Sequence, residues 1–93
     1  VVVPGSHAME VVCPETADPS LFFTSHHVPV PEGLQELPLN MKAGDMLFFN
    51  GSVIHGSYPN ASKDRFRRAY ICHYVPRSSA EVSHWYRPLL RFN

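Results

Sequence analysis

Apolar positions in this chain fall in short strand-like runs, with a two-residue alternation over 66–75, and from residue 8 to residue 36 no 3.6-residue helical rhythm is sustained. Residues 1–3 are three successive valines, whose β-branching suits a short buried strand, and Pro4-Gly5 ends it with a turn that delivers Ser6 and His7 to the end of a sheet. Between residues 8 and 36, Pro14, Pro19, Pro29 and Pro31 interrupt any helix longer than two turns. A long loop is expected there, with Leu21, Phe22 and Phe23 and the apolar residues of 28–30 available to dock or pair locally, and an active-site lid is one role for it.

The pattern is densest from Ala43 to Tyr74, AGDMLFFNGSVIHGSYPNASKDRFRRAYICHY. Two apolar runs, 37–41 and 46–49, are joined by Lys42-Ala43-Gly44-Asp45, which predicts a β-hairpin with Gly44 free to take positive φ. Asn50-Gly51 then reverses the chain into a strand at 53–55. Residues 58–64 are polar and rich in turn formers, hence loop, and 66–75 form the longest strand candidate. Its alternation puts Arg67, Ala69, Ile71 and His73 on one face and Phe66, Arg68, Tyr70, Cys72 and Tyr74 on the other, with both faces expected to be covered. Ser78 and Glu81 have capping-box spacing, predicting a short helix over 82–86 before Pro88, and the aromatic, basic tail around Trp85 is expected to pack over a cleft mouth.

Closely spaced strands with almost no helix predict a mainly all-β chain of sandwich or jelly-roll type. At 93 residues, with 44% hydrophobic and 17% charged positions, residues 1–93 amount to one small packed domain, without room for a second. Because the chain begins inside a β-branched run rather than with Met, it is expected to be a fragment of a longer protein. Eight basic side chains balance eight acidic ones, so no long-range field steers it to nucleic acid or an anionic membrane. Six of those cations, Arg65, Arg67, Arg68, Arg77, Arg87 and Arg91, fall after residue 64, which favours an anionic small molecule as partner. Cys13 and Cys72 read as reduced thiols, no apolar run is long enough to span a membrane, and a cytoplasmic location follows as the default. Asn60-Ala61-Ser62 matches a glycosylation pattern but reads as loop.

The reactive side chains centre on His55. Strand alternation puts Ser57 on its face, and on an antiparallel neighbour following the 58–65 loop Arg67 is the first inward position. An imidazole is a borderline ligand suited to Fe(II), and a guanidinium fork grips a carboxylate through two parallel hydrogen bonds with a serine hydroxyl adding a third. That set suits a dicarboxylate chelating a metal. His26 and His27 are adjacent and so point to opposite faces of an extended segment, and a solvated pair is expected. His7 reads as a hydrogen-bonded turn residue, with a substrate-facing role as the other reading.

The run GDMLFFNGSVIHGSYPNASKDRFRRAYICHY, with PGSH upstream, resembles the C-terminal half of phytanoyl-CoA dioxygenase-type enzymes, which are Fe(II)- and 2-oxoglutarate-dependent oxygenases. Its most specific element is H-G-S-x-x-N followed by F-R-R-A. The resemblance implies a double-stranded β-helix, here as a partial barrel, with His55 as the distal iron ligand, Arg67 binding 2-oxoglutarate and Ser57 assisting at its carboxylate. It also implies hydroxylation of a small organic substrate by O2, coupled to decarboxylation of 2-oxoglutarate to succinate and CO2. Gly44, eleven residues before His55, resembles a motif of the cupins, a weaker match within the same fold.

The family takes its other two iron ligands from an H-x-D motif, and none of His7, His26, His27, His55, His73 or His84 is followed two places on by Asp or Glu. The chain alone is therefore expected to bind iron weakly and not to turn over. The other reading is a metal-free β-sandwich acting as a binding or assembly module, and either way self-association or pairing with a complementing N-terminal half is expected.

Overall fold

The computed structural model of the chain describes residues 1–84 and 89–90. Two compact units divide it, Val1–Ala61 and Ser62–Asn93.

The first unit is built around Val2, which forms antiparallel bridges to Leu37 on one side and His55 on the other. Val2 and Leu37 exchange both backbone hydrogen bonds, at 3.1 and 2.7 Å. The Val2–His55 pair is flanked by bonds from Val3 N–H to the Ile54 carbonyl (2.8 Å) and from Gly56 N–H to the Val1 carbonyl (3.0 Å). His55 thus occupies a non-hydrogen-bonded position, where facing side chains approach most closely, and the side chains of Leu37, Val2 and His55 share one face. Val3 alternates to the opposite face and is 2% exposed. Burying its side chain contributes about 1.5–3 kcal/mol, comparable to the few net hydrogen bonds of the ladder at about 1 kcal/mol each.

Pro4-Gly5 ends this strand as the sequence predicts. Gly5 adopts φ 90°, in the left-handed region that a side chain disfavours, and leads into a single 3-10 turn, Ser6–Ala8. The turn buries Ser6 and leaves His7 exposed.

Beyond Ala8, which ends that turn, residues 8–36 form no helix, but a two-stranded antiparallel ribbon does form: β1, Glu15–Thr16, pairs with β2, His26–His27, in the register Glu15 to His27 and Thr16 to His26. Asp18 closes the connection. Its carboxylate accepts from the Ser20 hydroxyl (2.7 Å) and the Ser20 N–H (2.8 Å), while its carbonyl accepts from Leu21 and Phe22 N–H. The hydroxyl bond, then the backbone one, hold the Asp18 carboxyl below the ordinary carboxylate value. Phe22 stacks on His27 with ring centroids 4.8 Å apart, so part of the expected docking of 21–23 is present, whereas Phe23 stays 96% exposed.

The predicted hairpin of 37–41 with 46–49 is corrected. Its turn forms, with Asp45 N–H donating to the Lys42 carbonyl, Lys42 N–H donating to the Asp45 carboxylate and Gly44 at φ 96°, but the arms build no ladder. Leu37 pairs with Val2 instead, because a β-branched strand fixed by two neighbours outcompetes a local arm whose side chains stay exposed. The Asn50-Gly51 turn is present, with Val53 N–H on the Asn50 carbonyl and Ser52 N–H on the Asn50 side chain. Gly51 is not among the glycines with positive φ, so Asn50 supplies the turn chemistry.

In the second unit, residues 65–76 form no strand, and 63–81 are exposed throughout. Both the predicted strand at 66–75 and the expectation that its faces are covered are corrected. Alternation specifies faces, whereas a strand also needs a neighbour to bond its backbone. The Tyr74 hydroxyl is raised above the ordinary tyrosine value, chiefly by its hydrogen bond to Cys72 and then by the charges of Cys72 and Tyr70 nearby. Ser79 N–H closes a turn on the Pro76 carbonyl where the helix cap is expected, and of the helix predicted over 82–86, residues 82 and 83 are not helical while His84 takes 3-10 geometry. The predicted helical residues 85–86 and the cleft-covering Trp85 lie outside the described residues.

Candidate metal and co-substrate site

Ile54 and His55 are carried on the edge of the Val2 strand by the ladder just described. The backbone there is tied down twice more. Ile54 N–H donates to the Ser6 hydroxyl at 2.8 Å, and the Asn50 turn fixes the entry to Val53. His55 is exposed on its face, and its ring packs against Phe49 with centroids 4.6 Å apart at 52°.

The decisive feature is at the imidazole. Nδ1 lies 2.8 Å from the Val53 carbonyl oxygen, and because a carbonyl can only accept, Nδ1 carries the proton. In the neutral ring, Nε2 then has a free lone pair. An Nδ1–H bonded to a backbone carbonyl is the arrangement that orients metal-binding histidines and fixes their tautomer.

Ser57 follows two residues on and is exposed. Arg67 is exposed in the second unit. His26 and His27 do alternate: His26 is exposed, with Nδ1 2.9 Å from the Ser25 hydroxyl, and His27 is half-buried against Phe22. The expectation of a solvated pair is therefore met by His26 and corrected for His27, whose buried Nδ1 has no hydrogen-bond partner among the described residues.

Among the described residues, no three His, Cys, Asp or Glu side chains converge into a metal-holding group. His55 fits one corner of a two-histidine, one-carboxylate site, and the described residues do not fit the complete ion. Cys13 and Cys72 are exposed free thiols.

Shallow grooves among the described residues include two near the Val2 ladder. One, of about 330 Å³, is lined by residues 37–41 and 45–47, including the polar Asn40 and Asp45, and the other, of about 400 Å³, by residues 33–37 with Pro4. His55 lines neither, but Leu37, which flanks Val2 opposite His55, contributes to both. No described helix is long and apolar enough to cross a membrane.

Ser6 is the residue that sequence reading undervalued. Pro4-Gly5 places it at the end of the valine strand, but nothing local signals that its hydroxyl reaches Ile54, 48 positions away. Glu36 and Tyr58 are a second such pair, joined by a 2.5 Å bond from the phenol to the carboxylate that raises the Tyr58 hydroxyl above the ordinary tyrosine value.

The phytanoyl-CoA dioxygenase family model matches residues 1–69, a span that contains His55, Ser57 and Arg67. A dioxygenase of Aspergillus aculeatus, aneA, is 39% identical over 67 residues, covering 72% of this chain and 18% of its own length. The chain thus spans less than a fifth of that relative. No solved structure matches. By the extent of the family match, the chain belongs to the phytanoyl-CoA dioxygenase family.

Proposed function

We propose that this chain supplies the C-terminal part of an Fe(II)- and 2-oxoglutarate-dependent oxygenase of jelly-roll fold that hydroxylates a small organic substrate in the cytoplasm. The observation that carries the reading is the His55 imidazole, held by Val53 with Nε2 free on an exposed ladder face. Family membership supports it. When bound, Fe(II) with 2-oxoglutarate supplies the oxidising chemistry on O2. His55 would provide one nitrogen ligand, and the other two protein ligands would have to come from an H-x-D pair, which these residues do not contain. As the family resemblance implies, Arg67 would bind the far carboxylate of 2-oxoglutarate through its guanidinium fork, and Ser57 would assist at a 2-oxoglutarate carboxylate. Neither lysine nor alanine reproduces that fork, so position 67 should be sensitive even to a change that keeps the charge.

Calorimetric titration of the chain with Mn(II) and 2-oxoglutarate tests the assignment. The expected result is weak Mn(II) binding that His55→Ala abolishes, and a 2-oxoglutarate contribution that Arg67→Ala and Arg67→Lys both remove. Equal Mn(II) binding by wild type and His55→Ala would overturn the metal assignment.

A second reading, an assembly module, is favoured by the exposed side chains of Phe66, Tyr70, Ile71 and Tyr74, at 84, 94, 73 and 78%. Association through these residues predicts a concentration-dependent mass in light scattering. A monomer at all concentrations, together with Mn(II) binding, would leave the oxygenase reading alone.

A further inference from the structure

Ser6 is a buried polar side chain, 3% exposed, and both of its hydroxyl's hydrogen-bonding functions are used. It donates to the Val3 carbonyl at 2.7 Å and accepts from Ile54 N–H at 2.8 Å. The first bond is not needed to close the turn, since Ser6 N–H already reaches the Val3 carbonyl at 3.3 Å. The second joins the turn to a segment 48 positions away.

Ile54 N–H and the Val53 carbonyl are the two ends of a single peptide unit. That unit is planar and trans, so its N–H and C=O point in opposite directions and cannot be turned independently. Ser6 grips one end. The other end accepts the Nδ1–H of His55 at 2.8 Å. Three hydrogen bonds therefore run in one sense: His55 Nδ1–H to the Val53 carbonyl, Ile54 N–H to the Ser6 hydroxyl, and the Ser6 hydroxyl to the Val3 carbonyl. Bonds aligned in this way polarise one another, so each makes the next a better donor or acceptor.

The geometry points to Ser6 as a positioning residue: by clamping the Val53–Ile54 peptide plane it aims the Val53 carbonyl, which holds the His55 ring as the Nδ1–H tautomer and keeps Nε2 outward. Ser6 touches neither a metal nor a substrate in this role. Its functional meaning rests on the reading of His55 as a metal ligand, whereas the relay itself does not. A hydroxyl with both a lone pair and a proton in place is required, so threonine can substitute and alanine cannot.

The test is nuclear magnetic resonance on the full 15N-labelled chain at about pH 8, above the ordinary histidine range. Long-range correlations of the imidazole nitrogens read the tautomer directly, with His55→Ala assigning the signals. Wild type should show the Nδ1–H form. Ser6→Ala should make the Ile54 amide exchange about tenfold faster, the scale of one net hydrogen bond, and relax His55 to a mixture of tautomers while the Val3 and Leu37 amides stay protected. Ser6→Thr should restore the wild-type pattern.

An unchanged Nδ1–H form in Ser6→Ala, or an Nε2–H form in wild type, would overturn the inference. If Ser6→Ala loses protection at every ladder amide, Ser6→Thr decides, since retention of the Nδ1–H form supports the relay and its loss refutes it. If the tautomer responds as expected but His55→Ala leaves Mn(II) binding unchanged, the relay stands and the metal assignment falls.

Discussion

Residues 1–3 and residues 66–75 both carry a strand pattern, but Val2 is bridged on both edges whereas 66–75 forms no strand or β-bridge among the described residues. Val3 is consequently 2% exposed and Ile71 73%, although both are β-branched residues in the same kind of run. The difference teaches where strand information resides. Side-chain alternation is a local sequence pattern that does not by itself bury a residue, since burial requires a second backbone within hydrogen-bonding distance.

The largest test of this contrast is a charge placed at each site. Val3→Asp puts a carboxylate among apolar neighbours and should destabilise the ladder by about 3 kcal/mol or more, read as loss of amide protection at Val3 and Leu37. Ile71→Asp should change stability by no more than about 0.5 kcal/mol, and if 66–75 is an association surface it should abolish association in light scattering. Equal effects at the two positions would refute the claim that only one segment is packed.

A smaller contrast separates two turn glycines. Gly5→Ala forces a side chain into φ 90° and should cost about 1–3 kcal/mol by denaturant titration. Its Cβ would sit 3.5 Å from Leu34 Cδ2, an ordinary contact, so the cost is in the backbone rather than in a clash. Gly51→Ala meets nothing within 4 Å and needs no positive φ, so it should be neutral or stabilise by up to about 1 kcal/mol.

The smallest effect concerns the Tyr58–Glu36 pair. Glu36 accepts the phenol proton, so folding raises the Tyr58 value above the ordinary 10.0. The stabilisation is therefore fully present below 10.0 and is lost as pH rises through the raised value. Ultraviolet titration should show one tyrosine returning toward the ordinary value in Glu36→Gln, and an unchanged titration would remove this tie between the two loops.

Much of the first unit was legible because its signals are local. Pro4-Gly5, Lys42 to Asp45 and Asn50-Gly51 all mark turns that form, and the opposite facing of His26 and His27 follows from strand alternation alone. The hairpin of 37–41 with 46–49 failed because pairing is a competition, and Leu37 found a better partner in Val2. The buried environment of His27 was missed because it depends on Phe22 folding back through the Asp18 turn.

For the candidate site, the sequence by itself determined the family, the presence of His55, Ser57 and Arg67 within the matched span, and the helix-poor, turn-punctuated character of the chain. Those are properties of residue type and spacing. Tertiary structure decided that His55 stands beside Val2 in a non-hydrogen-bonded position, which of its nitrogens is free, and that Ser6 holds the peptide plane behind it. A tautomer is set by the hydrogen bond on the other ring nitrogen. That carbonyl is in turn oriented by a hydroxyl 48 positions away, and no local pattern carries a constraint across such a distance.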